Sequence, residues 1–186
     1  MTMFTTTLIT AEEFLVLSTD KPCELVRGEV VEFEFSTMAH GAVCAQLGYF
    51  LSQWERQHQA DVAITCNNSG IVLNRNPDTV RGPDLQVIPR GRLTDRRLPV
   101  GYLTIPPLIA IKVRDVWDRT STLFERVVEF LEFGVNEAWI VCPKSKMVFI
   151  HRDNEETTVF QGSDILTSPQ LPGFECPLHK LFEGIT

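Results

Sequence analysis

Between Ala39 and His58 the apolar residues Val43, Leu47, Phe50, Leu51 and Trp54 return every three or four positions. That spacing predicts the longest helix of the chain, with one face laid on a sheet. A second stretch of the same period carries Leu123, Val127, Phe130 and Leu131; Asp118 or Thr120 can cap its start, and Gly134 ends it. "TAEEFLVLS" places Thr10 three residues before Glu13, a capping-box pattern that predicts a short helix running to about Ser18. Pro177 opens a last short helix through Phe182.

Elsewhere the period is two. "CELVRGEVVEFEF" alternates around Gly28 and predicts a β-hairpin turning near Arg27-Gly28-Glu29. Strands are predicted at 62–66, 71–73, 83–88 and 107–114, then within "EAWIVCP", "KMVFIHR" and "ETTVFQ". "PRGRLTDRRLPVGYLTIPP" has four arginines, two glycines, four prolines and no period, so it is predicted as the longest loop. Helix, hairpin, helix, strands, helix and strands in that order make an α/β (α+β mixed sheet) fold, a central mixed β-sheet flanked by helices. No repeat or linker divides the 186 residues, and residues 1–186 are expected to form a single domain.

Composition narrows the class without naming an activity. The apolar content of 44% and charged content of 22% are those of a globular protein. No apolar run reaches the ~20 residues that span a bilayer. "MTMFTTTLIT" lacks the basic and long apolar segments of a signal peptide, so the expectation is a cytoplasmic protein with no membrane partner. Cys23, Cys44, Cys66, Cys142 and Cys176 are scattered, with no CxxC pair, and are expected as reduced, mostly buried thiols. The net charge of −7 is uneven: from Arg75 to Arg126 ten basic residues face six acidic ones, leaving seven against eighteen elsewhere. A basic middle third is able to hold a phosphate backbone, with Arg90, Arg92, Arg96 and Arg97 of the long loop as candidate contacts. The simpler reading of both is a solvated, salt-bridged surface.

Most familiar chemical signatures are missing. There is no GxGxxG, no GxxxxGK[ST], no GxSxG and no HExxH, and the four histidines share no metal-ligand spacing. What remains is "RGPDLQVIP", which puts Asp84 at the head of a strand, and "PPLIAIKVRD", which puts Lys112 inside an apolar strand 28 residues later. Acids from two neighbouring strands can converge on a divalent cation, and a nearby lysine can stabilise charge on a phosphorane or orient the attacking water.

Four segments together resemble a known family. "CELVRGEVVE" is similar to its hairpin, "AHGAVCAQLGYFL" to its histidine-led long helix, "GIVLNRNPDTVRGPDLQVI" to its R-x-PD segment, and "PPLIAIKVRDVWDRTSTLFERVVEFLEFGVNEAWIVCP" to its strand–helix–strand unit. The family is the Uma-type group of restriction-endonuclease-like proteins, within the PD-(D/E)XK nuclease superfamily, and the resemblance covers roughly residues 10–160. It implies a restriction-endonuclease-like core, Mg²⁺-dependent hydrolysis of DNA phosphodiesters, and a site built from Asp84, Glu24, His40, Lys112 and Arg126. Asp84 matches the metal-binding aspartate, Glu24 a second acidic ligand or water orienter, and His40 the histidine leading the long helix.

Two departures weaken that implication. Aligned without a gap, the catalytic glutamate position of the family falls on Lys112, and its helix lysine falls on Arg126. Read instead as the superfamily triplet of an acid, any residue and lysine, the same strand gives Ala110-Ile111-Lys112. Residues two apart share a strand face, so both placements aim Lys112 into the site, and both lose the strand carboxylate. An ammonium group at a metal position adds repulsion on the order of 4 kcal/mol per unit charge pair at about 4 Å and an effective dielectric of about 20. The expectation is that Lys112 takes the place of the metal and pairs with Asp84 and Glu24, leaving Mg²⁺ binding and hydrolysis weak or absent. Set against this, Asp84 is able to be a plain strand-start residue, Glu24 a solvated hairpin acid, His40 a helix-start packing residue, Arg126 a surface charge and Lys112 a snorkelling side chain. The alternative function is a non-catalytic nucleic-acid-binding or protein-interaction module that retains the fold, with a homodimer as the common assembly of soluble proteins.

Overall fold

The computed structural model describes residues 8–185; the first seven residues of the N-terminal stretch read above lie outside them. Two sheets and two long helices organise these residues. Helix α1 (Ala11–Leu15) has the expected capping box, with Thr10 and Glu13 satisfying each other's exposed N–H groups. It stops three residues short of Ser18, because Val16 and Leu17 face solvent and find no core to hold a further turn. The hairpin β1 (Cys23–Val26) and β2 (Glu29–Glu32) turns at Arg27-Gly28, both with positive φ, as the right-handed twist of the strands demands.

Helix α2 (Met38–His58) is capped by the Thr37 side chain and buries Val43, Leu47, Leu51 and Trp54, the stripe read from the sequence. Strands β3 (Val62–Cys66), β4 (Ile71–Asn74), β5 (Thr79–Arg81) and β6 (Leu85–Pro89) follow, then β7 (Ile109–Val113). Strand β5 was not expected: at three residues it is too short to show a period, and its pairing with β1 and β4 is what makes it a strand. The loop after β6 contains two single 3-10 turns, Arg90–Arg92 and Thr94–Arg96, and is otherwise irregular. Helix α3 (Thr120–Phe133) ends on left-handed Gly134, and β8 (Glu137–Cys142), β9 (Met147–His151) and β10 (Thr158–Phe160) complete the large sheet. A two-residue ribbon, β11 (Ile165–Leu166) with β12 (Cys176–Pro177), precedes α4 (Leu178–Leu181) and was likewise too short to read.

The six-stranded sheet runs β10-β9-β8-β7-β6-β3; β7 and β8 are parallel, joined through α3, and the other pairs are antiparallel. Ile109, Ile111 and Val113 of β7 face α2, and Ala110 faces α3. Both faces of the sheet are therefore covered, which is why its central strands read as apolar runs rather than alternations. The smaller sheet, β2-β1-β5-β4, brings the hairpin to the end of β6 and β7 where Asp84 and Lys112 lie. Cys142 and Cys176 are buried as expected, but Cys66 is exposed. No helix among the described residues is long and apolar enough to cross a membrane.

Candidate functional site

The ladder between β6 and β7 pairs Leu85 with Ile111 and Gln86 with Ala110. Continued by one residue, that register sets Asp84 across from Lys112, on one face of the sheet. Lys112 Nζ donates to Asp84 Oδ1 at 2.9 Å, and Val113 N donates to Oδ2 at 2.7 Å. His40 is brought over the same carboxylate by its helix. Thr37 caps α2 and its own N–H is tied to Asp115 Oδ2 at 2.8 Å, which fixes the helix start to the segment following β7. His40 Nε2 then lies 3.2 Å from Asp84 Oδ1. The Asn68 amide, with its nitrogen toward the site, donates to Asp84 Oδ1 at 3.0 Å and to Gly82 O at 3.2 Å. Only glycine fits at position 82, since a Cβ there would meet Asn68 O at 2.6 Å.

Asp84 is 3% exposed and faces four donors. Burial by itself would raise its pKa, but the bond from His40 and the charge of Lys112 hold its carboxyl below the ordinary range. A depressed folded-state pKa means stability that is present above the unfolded value, near 3.9, and lost as pH falls through the folded one. Asp84→Asn is therefore expected to show a shallower fall in melting temperature than the unmodified protein between about pH 4 and pH 2. Thermal melts across that range check it; parallel curves would assign the acid sensitivity to other groups such as Asp78, whose pKa is also lowered.

Glu24 departs from the expected arrangement. It does not share Lys112 with Asp84 but is clamped by arginines: Oε2 accepts from Arg81 Nη1 at 3.1 Å, and Oε1 from Arg126 Nη1 at 2.7 Å and Gly82 N at 3.0 Å. Arg81 reaches on to Glu129 through Nε and Nη2, at 2.7 and 2.9 Å. Lys112 does not snorkel to bulk water, nor is Arg126 a plain surface charge; both are mostly buried and line one small cavity with His40. Arg81, Glu129, Asn68 and the Val113 N–H were not read from the sequence. Arg81 stood inside the quoted "RGPD" segment, and Glu129 lies three residues after Arg126 on the same helix face, so both had a signal.

The loop arginines lie apart from this site. Asp84 precedes β6 and Arg90 follows it, so about 20 Å of strand separates them. Arg90 donates to Val62 O, Arg92 to Pro106 O, and Arg96 pairs with Asp61. The basic middle third is thus divided between two ends of the sheet.

A divalent ion does not fit the donors present. Of the four donors on the Asp84 carboxylate, three converge on Oδ1 and Val113 N takes Oδ2, so each oxygen is already held by the protein. Both Glu24 oxygens are engaged. The acids Asp84, Glu24 and Glu129 are balanced by Lys112, Arg81 and Arg126, so an added Mg²⁺ would stand as uncompensated charge. Among the described residues no group of three or more His, Cys, Asp or Glu is arranged to hold a metal. Cys44 Sγ is 3.6 Å from His40 Nδ1, but burial, with the charge of Asp84 adding to it, pushes the thiol up to about 12, and it supplies no nucleophile near neutral pH.

The model of a family described as Uma2, "Putative restriction endonuclease", matches residues 11–179. A crystal structure described as "a putative nuclease belonging to DUF820", from Anabaena variabilis ATCC 29413, superposes with a TM-score of 0.79 at 19% sequence identity, over 94% of this chain and 97% of that one. No curated protein matches the chain.

Proposed function

The chain belongs to the Uma2 restriction endonuclease family, and from that membership we propose that it is a single restriction-endonuclease-like domain whose metal-dependent phosphodiester hydrolysis is weak or lost and which holds nucleic acid without a metal. One observation carries the reading: the ammonium of Lys112 sits 2.9 Å from Asp84 Oδ1, on the strand position where the family resemblance calls for a carboxylate. A fixed positive charge there neutralises Asp84 permanently, as a metal would only on binding.

The binding half of the proposal rests on the same cavity. Lys112 and Arg126 both line it, beside the acids Glu34, Asp115 and Asp118, and among the described residues Arg126 Nε is buried with no hydrogen-bond partner, a donor of the kind that suits a phosphate oxygen. Two cations set among those acids imply weak, salt-sensitive binding, with log K falling against log salt at a slope no steeper than about −2 in the absence of metal.

Nicking of supercoiled plasmid in Mg²⁺ and in Mn²⁺ tests the first half. The expected result is cleavage no faster than in the enzyme-free control. Robust cleavage that disappears in Asp84→Ala overturns it.

A further inference from the structure

Asn68 lines both the Lys112–Arg126 cavity and a second, larger groove of about 420 Å³ between the β3–β6 edge of the large sheet and residues 98–103. Its floor is polar. Thr65 and Gln86 are direct partners in the β3–β6 ladder and so project from the same face. Gln86 is 1% exposed, and its Nε2 donates to Ser69 O at 2.8 Å. A carbonyl only accepts, so this bond fixes which way the amide faces. Among the described residues Oε1 is left buried with no hydrogen-bond partner, and so is Thr65 Oγ1. Nearly all buried polar atoms in folded proteins are satisfied, and here two that find no partner among the described residues belong to side chains lining one groove.

The groove is built, not a gap under a loose loop. Leu103 N donates to Gly70 O at 2.9 Å and Val72 N to Leu103 O at 2.8 Å, which pins the far wall to β4. Tyr102 packs so closely on Gly70 that a Cβ there would lie 2.5 Å from its ring. Ile88, Leu98 and Tyr102 supply apolar sides. The site therefore suits a flat group with apolar faces and an edge that offers an N–H donor to Gln86 Oε1 beside a partner for the Thr65 hydroxyl.

We propose that this groove receives the hydrogen-bonding edge of an unpaired nucleobase, from a strand whose phosphate lies in the neighbouring Lys112–Arg126 cavity. The Watson–Crick edge, which sets a donor beside an acceptor, is free only when the base is single-stranded or extruded; the N6–N7 edge of adenine is open in a duplex as well, and the duplex arm of the test below separates the two. The strand part of the inference rests on the nucleic-acid reading above; the groove itself is testable with free nucleosides.

Two measurements separate them. In the first, 2′-deoxyadenosine, 2′-deoxycytidine and thymidine are titrated into the labelled intact protein, and the Gln86 side-chain amide and Thr65 resonances are followed. Saturable shifts with at least one nucleoside are expected, and unmoved resonances overturn the groove as a base site, leaving it to ordered water. In the second, a short single-stranded oligonucleotide, its duplex and an abasic strand of equal length are compared. Wild type should bind the single strand about tenfold or more tightly than the duplex, while Gln86→Leu and Thr65→Val lose that preference and keep abasic binding. Equal binding of all three by wild type overturns the proposal while leaving the phosphate cavity standing. Nucleoside shifts with no abasic binding support the groove and remove the nucleic-acid reading beside it. Should either variant fail to fold, the titration of the unmodified protein decides alone.

Discussion

Replacing Lys112 by glutamate is expected to make the stability of this protein depend on divalent cations. The substitution removes the ammonium 2.9 Å from Asp84 Oδ1 and sets a second carboxylate across the ladder from the first. Asp84 is buried, so it cannot recover its loss by hydration. Breaking a buried pair in this way costs about 3–5 kcal/mol, which for a chain of this size lowers the melting temperature by roughly 6–20 °C. Mg²⁺ or Mn²⁺ between the two carboxylates then restores part of it, about 2.7 kcal/mol at a free concentration near 100 times the dissociation constant. Melting curves of wild type and Lys112→Glu, each in chelator, Mg²⁺ and Mn²⁺, measure this directly. Wild type should not respond. A wild type stabilised by Mn²⁺ as strongly as the variant would mean that Lys112 yields the position to metal, and the account of the site would fail.

Glu24 is expected to matter for a different reason. Its carboxylate, 4% exposed, is among the described residues the one group that joins Arg126 to Arg81, and it also accepts from Gly82 N. Glu24→Leu strands the Arg126 guanidinium, whose Nε already lacks a partner, while Arg81 retains Glu129. A loss of about 3–5 kcal/mol follows from leaving that charge uncompensated. Removing both charges together, in Glu24→Leu with Arg126→Met, should cost clearly less than the two single changes summed, because no buried charge is then left alone. Denaturant unfolding of the four proteins gives the coupling. A value below about 0.5 kcal/mol would show that the pair does not act as a unit. Divalent ions should leave the curve of the unmodified protein unchanged, since neither Glu24 oxygen is free to accept one.

Much of the fold was legible because its long elements bury one face each. The stripe Val43, Leu47, Leu51 and Trp54 is buried as its period requires, and so are Leu123, Val127 and Phe130. The parts that escaped, β5 and the β11–β12 ribbon, are two or three residues long and exist through their partners. The first helix was overextended because apolar Val16 and Leu17 continue the pattern without continuing the burial. Exposure of an apolar residue cannot be seen in a linear pattern.

The candidate site divides along the same line. The sequence alone determined that Asp84 heads a strand, that Lys112 stands inside a following one, and that His40 and Arg126 ride their helices. Those are statements about order and strand parity, and order is what a sequence contains. Only the tertiary structure decided which cation neutralises which acid. Lys112 took Asp84 because the β6–β7 register sets them opposite each other, whereas Glu24, arriving on the smaller sheet, met Arg81 and Arg126 first. Long charged side chains reach several ångströms in many directions, and their partners are chosen by sheet packing between segments 57 to 102 residues apart. The same packing placed Thr65 and Gln86 over one groove with a polar atom each to spare, a juxtaposition that no spacing along the chain encodes.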